Sequence, residues 1–163
     1  MALNENIDLG QSPELLDRIT ANTLTIADHL ILSLANFTTT LFPNYFTYVG
    51  AQQQAVTGPA LFVDYYDIKN SQRLINTDEF SFGIEITYVP TDHKATYEMQ
   101  NAIFTIQQNL SKLESDIGVF SCYAKDSDIT DGLAHVTGIV SVWEVAAPTD
   151  PLIQTAEQNV EGG

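Results

Sequence analysis

The stretch from Glu79 to Val89 alternates in a way that few elements can accommodate. Phe80, Phe82, Ile84, Ile86 and Tyr88 point one way, and Ser81, Gly83, Glu85 and Thr87 point the other. A period of two this strict predicts a half-buried antiparallel strand, stopped by Pro90-Thr91-Asp92. Its five large apolar side chains are worth about 8–15 kcal/mol of gross burial, while each ordered backbone costs about 1–2 kcal/mol. Such a strand cannot stand alone. It needs strands beside it and a helix across its apolar face.

Two helices are available to cover it. Ile26, Leu30, Leu34, Phe37 and Leu41, with Ala27 and Ile31 alongside, form one apolar stripe, with Asp28, Ser33 and Asn36 largely on the other side. Phe42-Pro43-Asn44 ends that helix. Met99, Ala102, Ile103, Ile106, Leu110 and Leu113 form a second stripe, expected to run from about Lys94 to Glu114. Upstream, Ser12-Pro13-Glu14 reads as a start signal with a hydroxyl N-cap, so a short helix begins at Pro13 and breaks between Thr20 and Thr25.

The remaining strands are Tyr45–Val49, Ala60–Ile68, Gly118–Ala124 and Leu133–Val145. The last is apolar on both faces (Val136, Val140 and Val142 against Ile139, Trp143 and Val145), which places it centrally or in an interface. The fold class is therefore α+β: a mixed or antiparallel β-sheet with two main helices packed on it. Three segments follow: an N-terminal arm with a short helix at 1–22, a domain at 23–146, and a disordered acidic tail at 147–163.

Charge narrows the function. Asp and Glu number 21 against 6 Lys and Arg, for a net charge of −15. Such a surface repels phosphates, which argues against a sequence-reading nucleic-acid binder. No apolar run reaches the length needed to cross a bilayer. The N-terminal MALNENIDLG has no basic region, so no signal peptide is expected. The single Cys122 excludes an intrachain disulfide.

A search for catalytic chemistry finds no motif. There is no Gly-x-Ser-x-Gly elbow, no Gly-rich phosphate loop, and no nearby His in sequence for Cys122. His29, His93 and His135 lack metal-ligand spacing. Residues Asp126 to Gly132 resemble a calcium loop superficially. However, Thr130 stands at position five, Gly132 at seven and Thr137 at twelve, so an acidic turn between strands fits better. Asp64, Asp67 and Glu85 could meet in the sheet, as surface acids on an acidic protein often do. No catalytic, cofactor-binding or metal-binding residue is assigned, and the chain is not expected to be an enzyme.

The order of pieces across about residues 23 to 145 resembles the tail terminator proteins of tailed bacteriophages. It comprises an amphipathic helix ending in Leu41-Phe42-Pro43, the strand Tyr45–Val49, a polar loop, and Pro59-Ala60-Leu61-Phe62-Val63. The alternating Phe80-to-Tyr88 strand with Pro90 follows, then a helix and a last strand opening at Asp131-Gly132-Leu133-Ala134-His135-Val136.

The resemblance implies a virion structural protein in the tail, made in the host cytoplasm. It implies a homo-hexameric ring that caps the head-proximal end of the tail tube and offers a head-attachment surface. Partners would be the tail tube protein, sheath and head-completion proteins, with DNA passing through the lumen without specific binding, no membrane and no cofactor. Subunit contacts are expected at sheet edges and around Ile139 and Trp143. Gln52, Gln53 and Gln54, and the turn region carrying Lys69 and Arg73, are candidate tube-contacting loops, or else ordinary solvated loops. Alternative readings are a head–tail connector or tail tube protein and, from another class, a small α+β ligand-binding or enzymatic domain.

Overall fold

The computed structural model describes residues 3–9, 12–50, 56–74 and 77–145. Gln52, Gln53 and Gln54 and the acidic C-terminal segment lie outside these. The described elements are β1 (Ile7–Asp8), α1 (Pro13–Ala21), α2 (Ile26–Leu41), β2 (Phe46–Val49), β3 (Ala60–Leu74), β4 (Thr77–Val89), α3 (Thr96–Asn109), β5 (Lys112–Ser115), β6 (Gly118–Thr130) and β7 (Leu133–Val145). The strands form one mixed sheet in the order β1-β2-β3-β4-β7-β6-β5. β1, β2 and β3 are parallel neighbours, and every other pair is antiparallel. The α+β class read from the sequence is the observed one.

β4 lies in the middle, as its alternation requires. Phe82, Ile84, Ile86 and Tyr88 are buried in the main core with Leu30, Leu34, Leu61, Val63, Met99, Ile106, Val136 and Val140. α2 lies over β2, β3 and β5, and α3 lies over β7 and β6. β7 is the two-sided strand and sits centrally, between β4 and β6.

Several expectations change. Ser12 does not cap α1 with its side chain; its hydroxyl reaches toward the Val49 carbonyl at 3.4 Å. The effective cap belongs to α2. Thr25 Oγ1 accepts from the Asp28 amide at 3.1 Å, and the Thr25 amide donates to the Asp28 carboxylate at 2.9 Å, a reciprocal capping box. Asp28 and Ser33, read as outward-facing, are buried. Arg18 of α1 donates two bonds to Asp28 at 2.6 and 2.7 Å, pinning the short helix to the long one. Burial pushes the Asp28 carboxyl up, but the bonds from Arg18 and Thr25 outweigh it, and its pKa falls below the ordinary value.

α3 ends at Asn109, short of the expected Glu114, and Leu113 belongs to β5. Leu113 is buried in the same core either way. Its position fits a helical stripe and equally a strand in which Lys112 and Glu114 point out. β3 and β6 outrun their expected ends at Ile68 and Ala124, because their outer halves are exposed and carry no apolar period. The acidic stretch from Asp126 is therefore mostly strand, and only Asp131-Gly132 turns. Both have positive φ, 55° and 73°. That is the backbone a two-residue hairpin needs, and Asp-Gly supplies it readily.

Candidate assembly interface

The helices cover one face of the sheet, and the other face displays the polar positions of β4 in a readable grid. One row runs Asp64, Glu85, Thr137, Asp126 across β3, β4, β7 and β6. The next runs Phe62, Thr87, His135, Asp128. Of the three acids expected to approach, Asp64 and Glu85 do face each other. Asp67 instead opposes Gly83 and pairs with Lys69 at 3.2 Å. Burial raises the Asp64 pKa above the ordinary carboxylate value, a bond from the Tyr65 amide works against it, and the charge of Glu85 adds to the rise.

Glu85, Asp126, Asp128, Thr130, His135 and Thr137 line an open groove of about 410 Å³. His135 Nδ1 lies 3.2 Å from the Thr87 hydroxyl and 3.5 Å from Glu85. Among the described residues, no cluster of three or more His, Cys, Asp or Glu could hold a metal ion. A groove carrying three carboxylates, Glu85, Asp126 and Asp128, repels a phosphate backbone. The chain's one thiol lies elsewhere. Cys122 is buried on the opposite face, and burial pushes its thiol up while Lys125 works against it, the behaviour of a small core hydrophobe.

Below the acidic rows the same face mixes aromatic and aliphatic groups with polar ones. Asp67, Gly83, Ile139 and Tyr123 form one row, and Lys69, Ser81 and Ser141 the next. The Tyr66 ring lies flat over β4 at Gly83, where a Cβ would come within 2.5 Å of it. The Tyr123 hydroxyl bonds the Ser141 hydroxyl at 2.6 Å. Trp143, opposite Glu79, ends this stripe and is 56% exposed.

The two residues expected at a contact, Ile139 and Trp143, therefore share one face of β7, with Ile139 half-buried. Lys69 and Arg73 are not in a loop; both belong to β3. They are brought to the end of the sheet that carries Trp143, since Ser71 opposes Glu79 and Glu79 opposes Trp143. Tyr66, Tyr123 and the Asp126, Asp128 and His135 cluster had not been singled out as interface residues. Only the Asp-Gly hairpin signal could have aligned β6 with β7 and so placed them.

A second exposed apolar feature lies on the helical side. Tyr97 and Phe104 stand 78% and 64% exposed on α3, seven residues apart and so on one helix face. Among the described residues, no helix is long and apolar enough to cross a membrane.

No curated protein matches the chain closely. A family model described as phage tail terminator protein matches residues 25–150, from the Thr25 cap of α2 through every strand of the sheet except β1. These are structural components of phage tails, and the chain belongs to the phage tail terminator protein family.

Proposed function

We propose that the chain caps the head-proximal end of the phage tail tube as a homo-oligomeric ring, six copies in the simplest case, and offers the surface to which the head attaches. The observation that carries this reading is the family match across residues 25–150, which takes in both core helices and nearly all of the sheet. The outer sheet face supports it. A ring of chains with net charge −15, turning Asp64, Glu85, Asp126 and Asp128 toward its lumen, lets DNA pass without adhesion, because phosphate contacts dominate nucleic-acid affinity.

In this reading Ile139 and Trp143 sit at subunit contacts, and Gln52, Gln53, Gln54, Lys69 and Arg73 lie near the tube or a neighbouring copy. Sheath and head-completion proteins complete the set of partners, and the mature location is the virion tail. A head–tail connector or a tube protein would also form rings, and the family assignment favours the terminator over both. A ligand-binding or enzymatic domain needs polar groups converging in a concave pocket; the open acidic groove favours the structural role instead.

Genetic removal tests the proposal. A phage lacking this chain should produce tails of uncontrolled length without attached heads, restored by supplying the chain in trans. Normal-length, headed tails in its absence would contradict it.

A further inference from the structure

β3 and β7 each outrun the strand on their far side. β2 covers β3 only from Ala60 to Val63. Beyond that, among the described residues, no strand pairs with β3 on the side away from β4. β6 covers β7 from Leu133 to Val140. An irregularity between Tyr123 and Asp126, where Ala124 has a φ of 51°, interrupts β6. Its Gly118–Ser121 half then pairs with β5 and leaves Ser141–Val145 paired to β4 alone among the described strands.

The two open segments lie at one height. Lys69 opposes Ser81, which opposes Ser141. Ser71 opposes Glu79, which opposes Trp143. Leu74 opposes Thr77, which opposes Val145. The result is a three-stranded tongue, Lys69–Leu74, Thr77–Ser81 and Ser141–Val145, with no strand paired to either lateral edge among the described residues; on the β7 side, Gly118–Phe120 diverge from Ser141–Trp143 across a cleft of about 340 Å³. Unpaired edges recruit strands.

Direction and charge select the partner. β3 and β7 are both antiparallel to β4, so they run parallel to each other. Rotation about an axis along the strands preserves strand direction, and it brings the β7 edge of one copy against the β3 edge of the next at the same height. Such head-to-tail contacts close into rings. The β3 edge carries Lys69 and Arg73, two of the chain's six basic residues. The β7 edge carries Glu144 and leads into residues 146–163, which contain Asp150, Glu157 and Glu161 and no Lys or Arg. Opposite charges favour β3 against β7 and disfavour either edge against itself.

We propose that consecutive copies join by parallel strand pairing, Lys69–Leu74 of one against Ser141–Val145 of the next, so that the tongues form one continuous sheet around the ring. This rests on the ring reading above but is narrower, since a ring could be held together by other surfaces.

Cysteine cross-linking of the full chain tests it, with assembly on purified tail tubes. Ser71→Cys and Trp143→Cys are placed together on one chain. Lys69→Cys with Ser141→Cys serves as a second pair that keeps Trp143. Within one copy the members of each pair sit two strand spacings apart, about 9–10 Å, beyond disulfide reach, so only neighbouring copies can cross-link.

On oxidation a double variant should give a ladder of covalent oligomers, and each single variant should give none. A mixture of Ser71→Cys and Trp143→Cys chains should stop at dimers. A ring of correct mass that neither pair cross-links overturns the strand pairing and leaves the terminator reading intact. Dimers from Ser71→Cys alone indicate β3 against β3 and overturn the head-to-tail arrangement. Cross-linking only after deletion of residues 147–163 means that the chain's own C-terminal segment covers the β7 edge, which overturns the pairing for the intact chain. Failure to form a ring even on tubes overturns both readings.

Discussion

Asp28 shows how much one side chain can join. It completes the capping box of α2 and receives two bonds from Arg18 of α1. Asp28→Asn should cost about 1–3 kcal/mol at neutral pH, read by urea unfolding. The acid dependence follows from the direction of the shift. The folded pKa lies below the ordinary value of 3.8, so the contribution is complete above that value and is lost as pH falls through the depressed folded pKa. The gap between the parent chain and the variant should therefore narrow only in strong acid. A gap unchanged between pH 7 and pH 2 would contradict this account.

Gly138 offers a second test at the same scale. A Cβ there would stand 2.5 Å from the Cys122 sulfur, so close strand contact depends on its absence. Gly138→Ala should destabilise by about 1–3 kcal/mol. Adding Cys122→Ala should recover part of that loss, a non-additive pair. Strictly additive losses in a double-mutant cycle would show that the sulfur is not the obstacle.

At the scale of elements, the contrast within α3 is informative. Met99 is fully buried against the sheet, whereas Phe104 points to solvent. Met99→Ala should cost about 2–5 kcal/mol, and Phe104→Ser should stay within about 0.5 kcal/mol, both measured by thermal or urea unfolding. β4, α2, α3 and the central place of β7 were legible in the sequence because their burial is one-sided or continuous, and periodicity records burial. The outer halves of β3 and β6 were not. Lys69 to Gln72 and Lys125 to Thr130 are strand with little burial on either face, so no apolar period marks them. The switch from α3 to β5 was hidden for the opposite reason: Leu113 satisfies both periods. The capping box at Thr25 and Asp28 follows a start-signal pattern, a hydroxyl residue with an acid three positions on, and it opens α2 where the apolar stripe begins.

The outer sheet face exists only once the register is known. Asp64, Glu85, Asp126 and Asp128 come from three strands, β3, β4 and β6, and nothing in the spacing between those strands along the chain announces that the acids fall in two adjacent rows. Placing Lys69 and Arg73 in a strand likewise changes their meaning, from loop tips to positions on an open edge. Electrostatic pairing at that edge should be salt-sensitive. Lys69→Glu with Arg73→Glu should weaken ring formation several-fold without changing the unfolding free energy of the isolated chain, read by urea, by more than about 0.5 kcal/mol.

The described residues form one sheet with its helices on one face and the acidic rows, Tyr66, Tyr123 and Trp143 on the other, which suits a subunit that must touch copies of itself while tolerating DNA. Ile139→Asp, on that outer face, should release monomers that remain folded by circular dichroism; an intact ring would place the contact elsewhere. The chain itself should show no tight binding to duplex DNA at physiological salt. The most direct test of the central claim is the length of tail tubes grown from purified tube protein with and without this chain, measured by electron microscopy. The account predicts that adding the chain arrests elongation and leaves a ring at one end of each tube. Unchanged tube lengths with bare ends would contradict it.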